Sequence, residues 1–401
     1  MGGATNSRTR RAAAIDAVAP SDAAIGLREV SRHIAVPVQC MLWGRAAGRC
    51  QFAGCNQPLW KSSVTQEPVN IAQKAHIYSF SSEGPRGHDG IEAINSIENL
   101  ILVCHQCHRK IDKDADGGRY TPTLLGRMKA EHEARIQRVG GIAASKGSHL
   151  VLFGANVGDY SSPLNYNDAA IALFPDRYPS ADSPIELSTV NSSLSDRDAE
   201  FWSVESQNLE RKFAQRVRER LAEGAIKHLS IFAIAPQPLL ILLGVLLGDI
   251  VPVDVYQRHR EPPTWGWPPG SPTPPFEVRQ PATASGVPAL VISLSATVTP
   301  DRVTSVLGDD ASIWTVTVPS PHNDLTKSRV QVSEFRAVLR RVLDRIKAVH
   351  GQNTVLHVFP VCSVSMAVEL GRVRMPKADM PWRIYDQVNS RNGFVSALSV
   401  S

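Results

Sequence analysis

Glu98-Asn99-Leu100-Ile101-Leu102-Val103-Cys104-His105-Gln106-Cys107-His108 is the stretch that decides how the first third of this 401-residue chain folds. The apolar run between Asn99 and Cys104 reads as a short buried strand, and the Cys-x-x-Cys knuckle that closes it runs straight into a histidine. A second knuckle lies upstream, where four residues separate Cys50 from Cys55. Paired cysteines at such spacings let four thiolates reach one tetrahedral ion, so Cys50, Cys55, Cys104 and Cys107 are read as a closed structural Zn2+ site. His105 could replace one of them but sits between two better ligands. The segment between the knuckles has little apolar core of its own, so metal binding, on the order of 10 kcal/mol in small zinc modules, supplies much of its folding free energy.

Composition sets the frame. The length suits two or three domains, and a hydrophobic fraction of 43% is ordinary for a globular protein. Residues 1–35 are small and polar, carry Arg8, Arg10 and Arg11, and read as a disordered basic arm without a secretory core. The most apolar stretch, Leu229 to Ile250, is interrupted by Pro236 and Pro238, and its remainder is too short for the ~20 residues of a bilayer span. Cys40 and Cys362 stand alone, and free or metal-bound thiols fit a reducing compartment. The expectation is a cytoplasmic protein with no membrane partner. Residues 1–140 hold 18 Lys+Arg and 13 Asp+Glu, so the whole formal excess of +5 lies with the cysteine module. A basic face of this kind suits nucleic acid.

The expected organisation is a metal module over 36–140, a connector with short strands over 141–198, and a second domain over 199–401. Thr121 to Gln137 has helical periodicity and ends at Gly140-Gly141. Beyond residue 199 strands and helices alternate, which implies parallel βαβ units. A faint repeat runs through them. Leu229 to Pro236, a helix with Gly244 and Val253 to Tyr256 correspond to Val355 to Pro360, a helix with Gly371 and Arg383 to Tyr385. The fold expected is therefore multi-domain α/β, with two Rossmann-like halves in the second part. Ligands bind such sheets at the carboxyl ends of strands. The candidate ligand-binding residues are Gln237, Arg258, Trp265, Ser363, Ser365 and Arg372, and aromatics beside polar strand ends suit a nucleotide. Asp112-Lys113-Asp114-Ala115-Asp116-Gly117 opens like a calcium loop, but Thr123 occupies its twelfth position. It is read as a polar turn.

Lys74-Ala75-His76-Ile77, Asn99 before its apolar run, and Cys104 to His108 together resemble the HNH endonuclease family, of the ββα-metal fold, over about residues 45–140. The resemblance gives His76 the role of general base, Asn99 that of orienting the base and its loop, and His108 that of holding a catalytic Mg2+ or other divalent ion. Imidazole titrates near neutrality and suits activation of water, and a divalent ion stabilises charge on the scissile phosphate. Arg86, in the loop between base and asparagine, is the candidate phosphate contact. Many members place Asp or His before the base as a second metal ligand; this chain has Ala75 there, which leaves that ligand open.

The second part resembles the SAVED domain, a sensor of two fused CARF-like units, through His228 to Pro236, Val253 to Trp267 and His357 to Tyr385. HNH–SAVED fusions are effectors of CBASS, a bacterial anti-phage signalling system. The resemblance implies a cyclic di- or trinucleotide activator made by a partner nucleotide cyclase. It also implies homo-oligomerisation on activation, from dimer to tetramer, and cleavage of double-stranded DNA. Two other readings remain open: a constitutive or restriction-type HNH nuclease, and a non-catalytic zinc-dependent DNA-binding adaptor.

Overall fold

The computed structural model describes residues 33–87, 93–156, 164–190, 194–198, 200–249, 251–270, 274–283, 285–388 and 393–401. Most of the expected basic arm, residues 1–32, lies outside them. The chain divides into two compact units, residues 1–137 and 138–401. No helix among the described residues is long and apolar enough to cross a membrane.

The first unit holds helix α1 (Val36–Ala46), strands β1 (Ala72–His76) and β2 (Leu100–Cys104), helix α2 (His105–Asp112) and helix α3 (Pro122–Gly140), in whose last turn the unit boundary falls. Strands β1 and β2 pair antiparallel, with Ala72 opposite Cys104 and His76 opposite Leu100. Leu100 to Val103 have no exposed surface. A strand buried on both faces has no polar face to alternate with, which is why its sequence is a continuous apolar run. The first knuckle covers the other edge of β2: Gln51 donates its N–H to Leu102 O at 2.9 Å, and its Oε1 accepts from Leu102 N at 2.7 Å. In this way β2 carries the cysteine pairs toward each other. Ile34, just before α1, is 8% exposed and belongs to the same core as Leu42, Leu59, Ile111 and Leu125, so the last residues assigned to the arm are part of the fold.

The second unit contains two sheets. The first has five strands: β3 (Gly147–Gly154), β4 (Tyr178–Pro179), β5 (Ile185–Glu186), β6 (Leu229–Ile234) and β7 (Val253–Val255). Their order is β4-β3-β6-β7, with β5 also on β3, and all pairs are parallel. Helices α4 (Tyr166–Leu173), α5 (Phe201–Phe213), α6 (Glu219–Ala222) and α7 (Gln237–Leu247) accompany it, and a π-helical stretch, Ala214–Arg218, joins α5 to α6. The second sheet contains β8 (Glu277–Arg279), β9 (Val287–Ser293), β10 (Ala311–Thr317), β11 (Leu356–Val361), β12 (Trp382–Val388) and β13 (Gly393–Val400). Its order is β13-β12-β11-β9-β10-β8, parallel in the middle and antiparallel at both edges. Helices α8 (Asp301–Leu307), α9 (Arg329–His350) and α10 (Val364–Val373) belong to this half.

Gly147–Gly154 falls within the expected connector with short strands, and here β3 lies inside the first sheet with parallel neighbours on both sides. The Ser, Asn, Asp and Pro residues around it conceal the apolar run Leu150 to Phe153, which is almost fully buried. The internal repeat has a physical counterpart: β6-α7-β7 and β11-α10-β12 are both right-order parallel units, and α7 packs on α10. A Cβ built on Gly244 would lie 2.0 Å from Val368 O, and one on Gly371 would lie 2.0 Å from Ile241 O. The two helices therefore touch backbone to backbone, and only glycine fits at the crossing.

Candidate nuclease centre and sensor face

Cys50, Cys55, Cys104 and Cys107 bring their sulfurs within 4.8 Å of one another. Cys55 Sγ and Cys104 Sγ are 3.9 Å apart, close to the ~3.8 Å expected across a tetrahedron with Zn–S bonds of about 2.3 Å. The cluster is polarised by the backbone: Cys104 N donates to Cys50 Sγ at 3.3 Å and Cys107 N to Cys104 Sγ at 3.4 Å. Burial pushes the Cys50 thiol up to about 12 and raises that of Cys107 as well. At Cys104 burial also pushes upward, but hydrogen bonds from Cys107 and the other thiols outweigh it and the net shift is down. Four sulfurs from two knuckles, with no other donor in the cluster, make a donor set that could hold a metal ion.

A cavity of about 480 Å³ opens beside this centre, lined by His76, His108, Arg86 and Asp112 among others. His76 ends β1, and the Cys104 cap turns the chain into α2 so that His108 faces the same space. Asp112, one helical turn beyond His108, accepts from its Nδ1 at 2.7 Å. Arg86 donates from Nε to Ile77 O at 3.0 Å, and its buried Nη1 has no hydrogen-bond partner. Burial lowers the Arg86 pKa, while Asp112 and Asp114 oppose that shift. Ala75, 4% exposed, packs in the apolar core and also lines this cavity, so no side-chain ligand is supplied from position 75. The acidic segment that begins at Asp112 is a turn: Asp114 accepts from Tyr120 N at 2.7 Å and Arg119 N at 3.3 Å.

The Asn99 side chain makes its hydrogen bonds to backbone and not to the His76 ring. It is 6% exposed and clamps backbone, accepting from Tyr78 N at 2.8 Å and donating to Ile94 O at 2.8 Å and Tyr78 O at 3.2 Å. These bonds hold the backbone at Tyr78, two residues after His76, and at Ile94. The residue bonded to His76 is Asn95, whose Oδ1 lies 2.9 Å from Nε2. Asn95 does not stand out in the sequence, because a loop asparagine is an ordinary surface residue, and Asp112 stands out only as the start of the acidic turn.

The six candidate sensor residues divide among three places. Gln237, Ser363 and Ser365 gather at the N-terminal ends of α7 and α10. Gln237 Oε1 accepts from Cys362 N at 3.2 Å, and Ser363 Oγ lies 2.8 Å from Thr326 Oγ1. Ser365 donates through Oγ to Gln257 Oε1 at 2.8 Å. Gln257 and Thr326 are additions the sequence did not single out. Trp265 is 1% exposed and packs edge-on against Phe232, so it is core rather than a stacking platform; half-buried Arg258 covers its ring. Arg372 lies at the other end of α10, about 13 Å along a helix rising 1.5 Å per residue from Ser363. There it binds Glu369 at 2.7 Å and Gly248 O at 3.3 Å. Helix length alone separates Arg372 from the serines.

Comparison with known proteins follows this division. Residues 50–115 match the family described as HNH endonuclease, and residues 209–400 match SAVED, the SMODS-associated and fused to various effectors sensor domain. The chain thus joins an HNH endonuclease domain to a SAVED domain. Among solved structures, the Acinetobacter baumannii Cap4 SAVED/CARF-domain containing receptor with the cyclic trinucleotide 2'3'3'-cAAA aligns at 9% identity. The alignment covers 73% of this chain and 61% of that one, with a TM-score of 0.37. The Cap4 receptor of Moraxella osloensis aligns at 13% identity over 73% and 60%, with a TM-score of 0.38. The chain spans about three fifths of the length of these receptors. No curated protein matches it.

Proposed function

We propose that this protein is a ligand-gated, metal-dependent endonuclease that cleaves double-stranded DNA when its SAVED domain binds a cyclic di- or trinucleotide. The observation that carries the reading is the common cavity of His76 and His108, with Arg86 beside them. His76 takes a proton from water, and Arg86 contacts the phosphate. His108 and Asp112 are the residues that would hold a divalent ion. Mg2+ is commonly bound through one or two carboxylates and keeps several waters, so one carboxylate and one imidazole suit it without a ligand at position 75. The bound ion supplies charge stabilisation for the phosphate and the leaving oxygen. The four cysteines hold a structural Zn2+ that fixes β2 against the first knuckle.

The SAVED match and the polar cluster of Gln237, Gln257, Thr326, Ser363 and Ser365 support the sensor half. A nuclease aimed at any DNA must be silent at rest. Coupling it to assembly of copies of this chain provides the switch if the ligand favours the assembled state. A nucleotide cyclase supplies the ligand, as in CBASS anti-phage defence. The test is plasmid cleavage with Mg2+, with and without a panel of cyclic di- and trinucleotides, for the wild type and His76→Ala. Cleavage only with ligand, lost in His76→Ala, is expected. Cleavage without ligand means a constitutive nuclease, and none under any condition means a DNA-binding adaptor.

A further inference from the structure

We infer that Asn95 is the positioning residue of His76: it fixes the imidazole as the Nε2–H tautomer and leaves the lone pair on Nδ1 to take the proton from water. The inference deepens the nuclease reading of this site and rests on it for the proton's destination, but its first readout does not depend on cleavage.

Hydrogen-bond polarity sets which way Asn95 faces. A side-chain amide has one accepting and one donating end, nearly identical in shape, so its neighbours decide which way it faces. Asn95 Nδ2 donates to the backbone oxygen of His33 at 3.3 Å. A carbonyl oxygen can only accept, so the amide nitrogen belongs on that side and Oδ1 on the other. Oδ1 lies 2.9 Å from His76 Nε2. Because Oδ1 also only accepts, Nε2 must carry the hydrogen. A neutral imidazole has one N–H, so Nδ1 is the unprotonated nitrogen.

The surroundings hold this arrangement. Phe80 packs against the His76 ring with centroids 5.8 Å apart. Asn99 donates to Ile94 O at 2.8 Å and so fixes the backbone immediately before Asn95. On the other side, Ile34 O accepts from Gln39 Nε2 at 2.7 Å, and the Ile34 side chain is buried in the core next to the His33 carbonyl that anchors Asn95. The role expected of Asn99 is thereby shared between two asparagines. Asn99 shapes the loop, and Asn95 transmits that shape to the base.

The experiment uses the full chain labelled with 15N-histidine, and long-range proton–nitrogen correlation at about pH 8, above the ordinary imidazole pKa. His76→Gln assigns the signal. The wild type is expected to show His76 in the Nε2–H pattern. Asn95→Ala shifts it to an average of the two tautomers, whereas Asn95→Asp, which keeps an acceptor facing Nε2, retains the Nε2–H pattern. In ligand-activated cleavage, Asn95→Ala lowers kcat on the order of 100-fold with KM for DNA unchanged, and Asn95→Asp keeps most of the rate. An Nδ1–H pattern in the wild type, or a His76 pattern unaltered by Asn95→Ala, overturns the proposal, even if cleavage is lost. Should Asn95→Ala fail to fold, loss of the Nε2–H pattern in Asn95→Asp overturns it equally. Expected tautomers in a protein that never cleaves DNA would instead reject the nuclease reading and leave the assignment of Asn95 standing.

Discussion

Replacing Gly244 or Gly371 with alanine tests how the two halves of the SAVED unit are joined. The added methyl of Gly244→Ala would sit 2.0 Å from Val368 O, and that of Gly371→Ala 2.0 Å from Ile241 O. Ordinary contact begins at 3.4 Å, so each methyl intrudes by about 1.4 Å on backbone atoms that no rotamer change can move. The helices must separate. A gap of that size forfeits much of the dispersion energy between α7 and α10, and forced overpacking costs about 1–3 kcal/mol or more. Alanine recovers about 1 kcal/mol through its better helix propensity. A clash with backbone lies at the upper end of that range, so the net loss expected for either variant is about 2 kcal/mol. For a unit of this size that lowers its melting temperature by about 4–8 °C in scanning calorimetry of the full chain. One outward displacement relieves both clashes, so the double variant should cost less than the sum of the singles, by on the order of 1–2 kcal/mol. A rise in melting temperature for either single variant, as helix propensity alone would give, would refute the reasoning. Strict additivity in the double variant would do the same.

Three further outcomes are expected. Cys104→Ser should remove zinc from the purified protein, measured by elemental analysis, and abolish the cooperative unfolding of the first unit while leaving that of the second; retained zinc and an unchanged melt would count against the structural site. Asp112→Ala should weaken Mn2+ binding about 10–100-fold, read by electron paramagnetic resonance without DNA, because the ion loses its one carboxylate and His108 loses its hydrogen-bond partner; unchanged affinity removes Asp112 from the site. Acid should destabilise the second unit well above the carboxylate range. Burial lowers the His228 pKa to about 4, with Asp254 opposing and Arg177, Lys146 and Arg329 adding to the shift. The unfolded imidazole binds its proton at about 6.5, so between those values the unfolded state holds more protons and stability falls as pH drops. The loss approaches about 2–3 kcal/mol by pH 4, and His228→Gln should flatten that part of the melting-temperature profile. An identical profile in the variant would assign the acid sensitivity to other groups.

The chemistry-bearing residues of the first unit were legible because their spacing is local. Two cysteine knuckles, a histidine at a strand end and a histidine in the first turn of a helix are set by chain geometry over a few residues. The repeat in the second unit was legible for a similar reason: β6-α7-β7 and β11-α10-β12 each run a largely buried apolar strand into a buried helix. Even the glycines of the repeat could be read, although only the packed helices explain them. What the sequence could not decide was which polar side chains meet. Asn95 reaches His76 across 19 residues, Gln257 reaches Ser365 across 108, and Gln237 reaches Cys362 across 125. Trp265 reads as a ligand platform in the sequence but packs against Phe232, and Gly147–Gly154 reads as connector but pairs with β6. Local spacing fixes the direction a side chain takes from its own backbone. Its partner, its burial and its tautomer depend on what the tertiary fold brings to the other end.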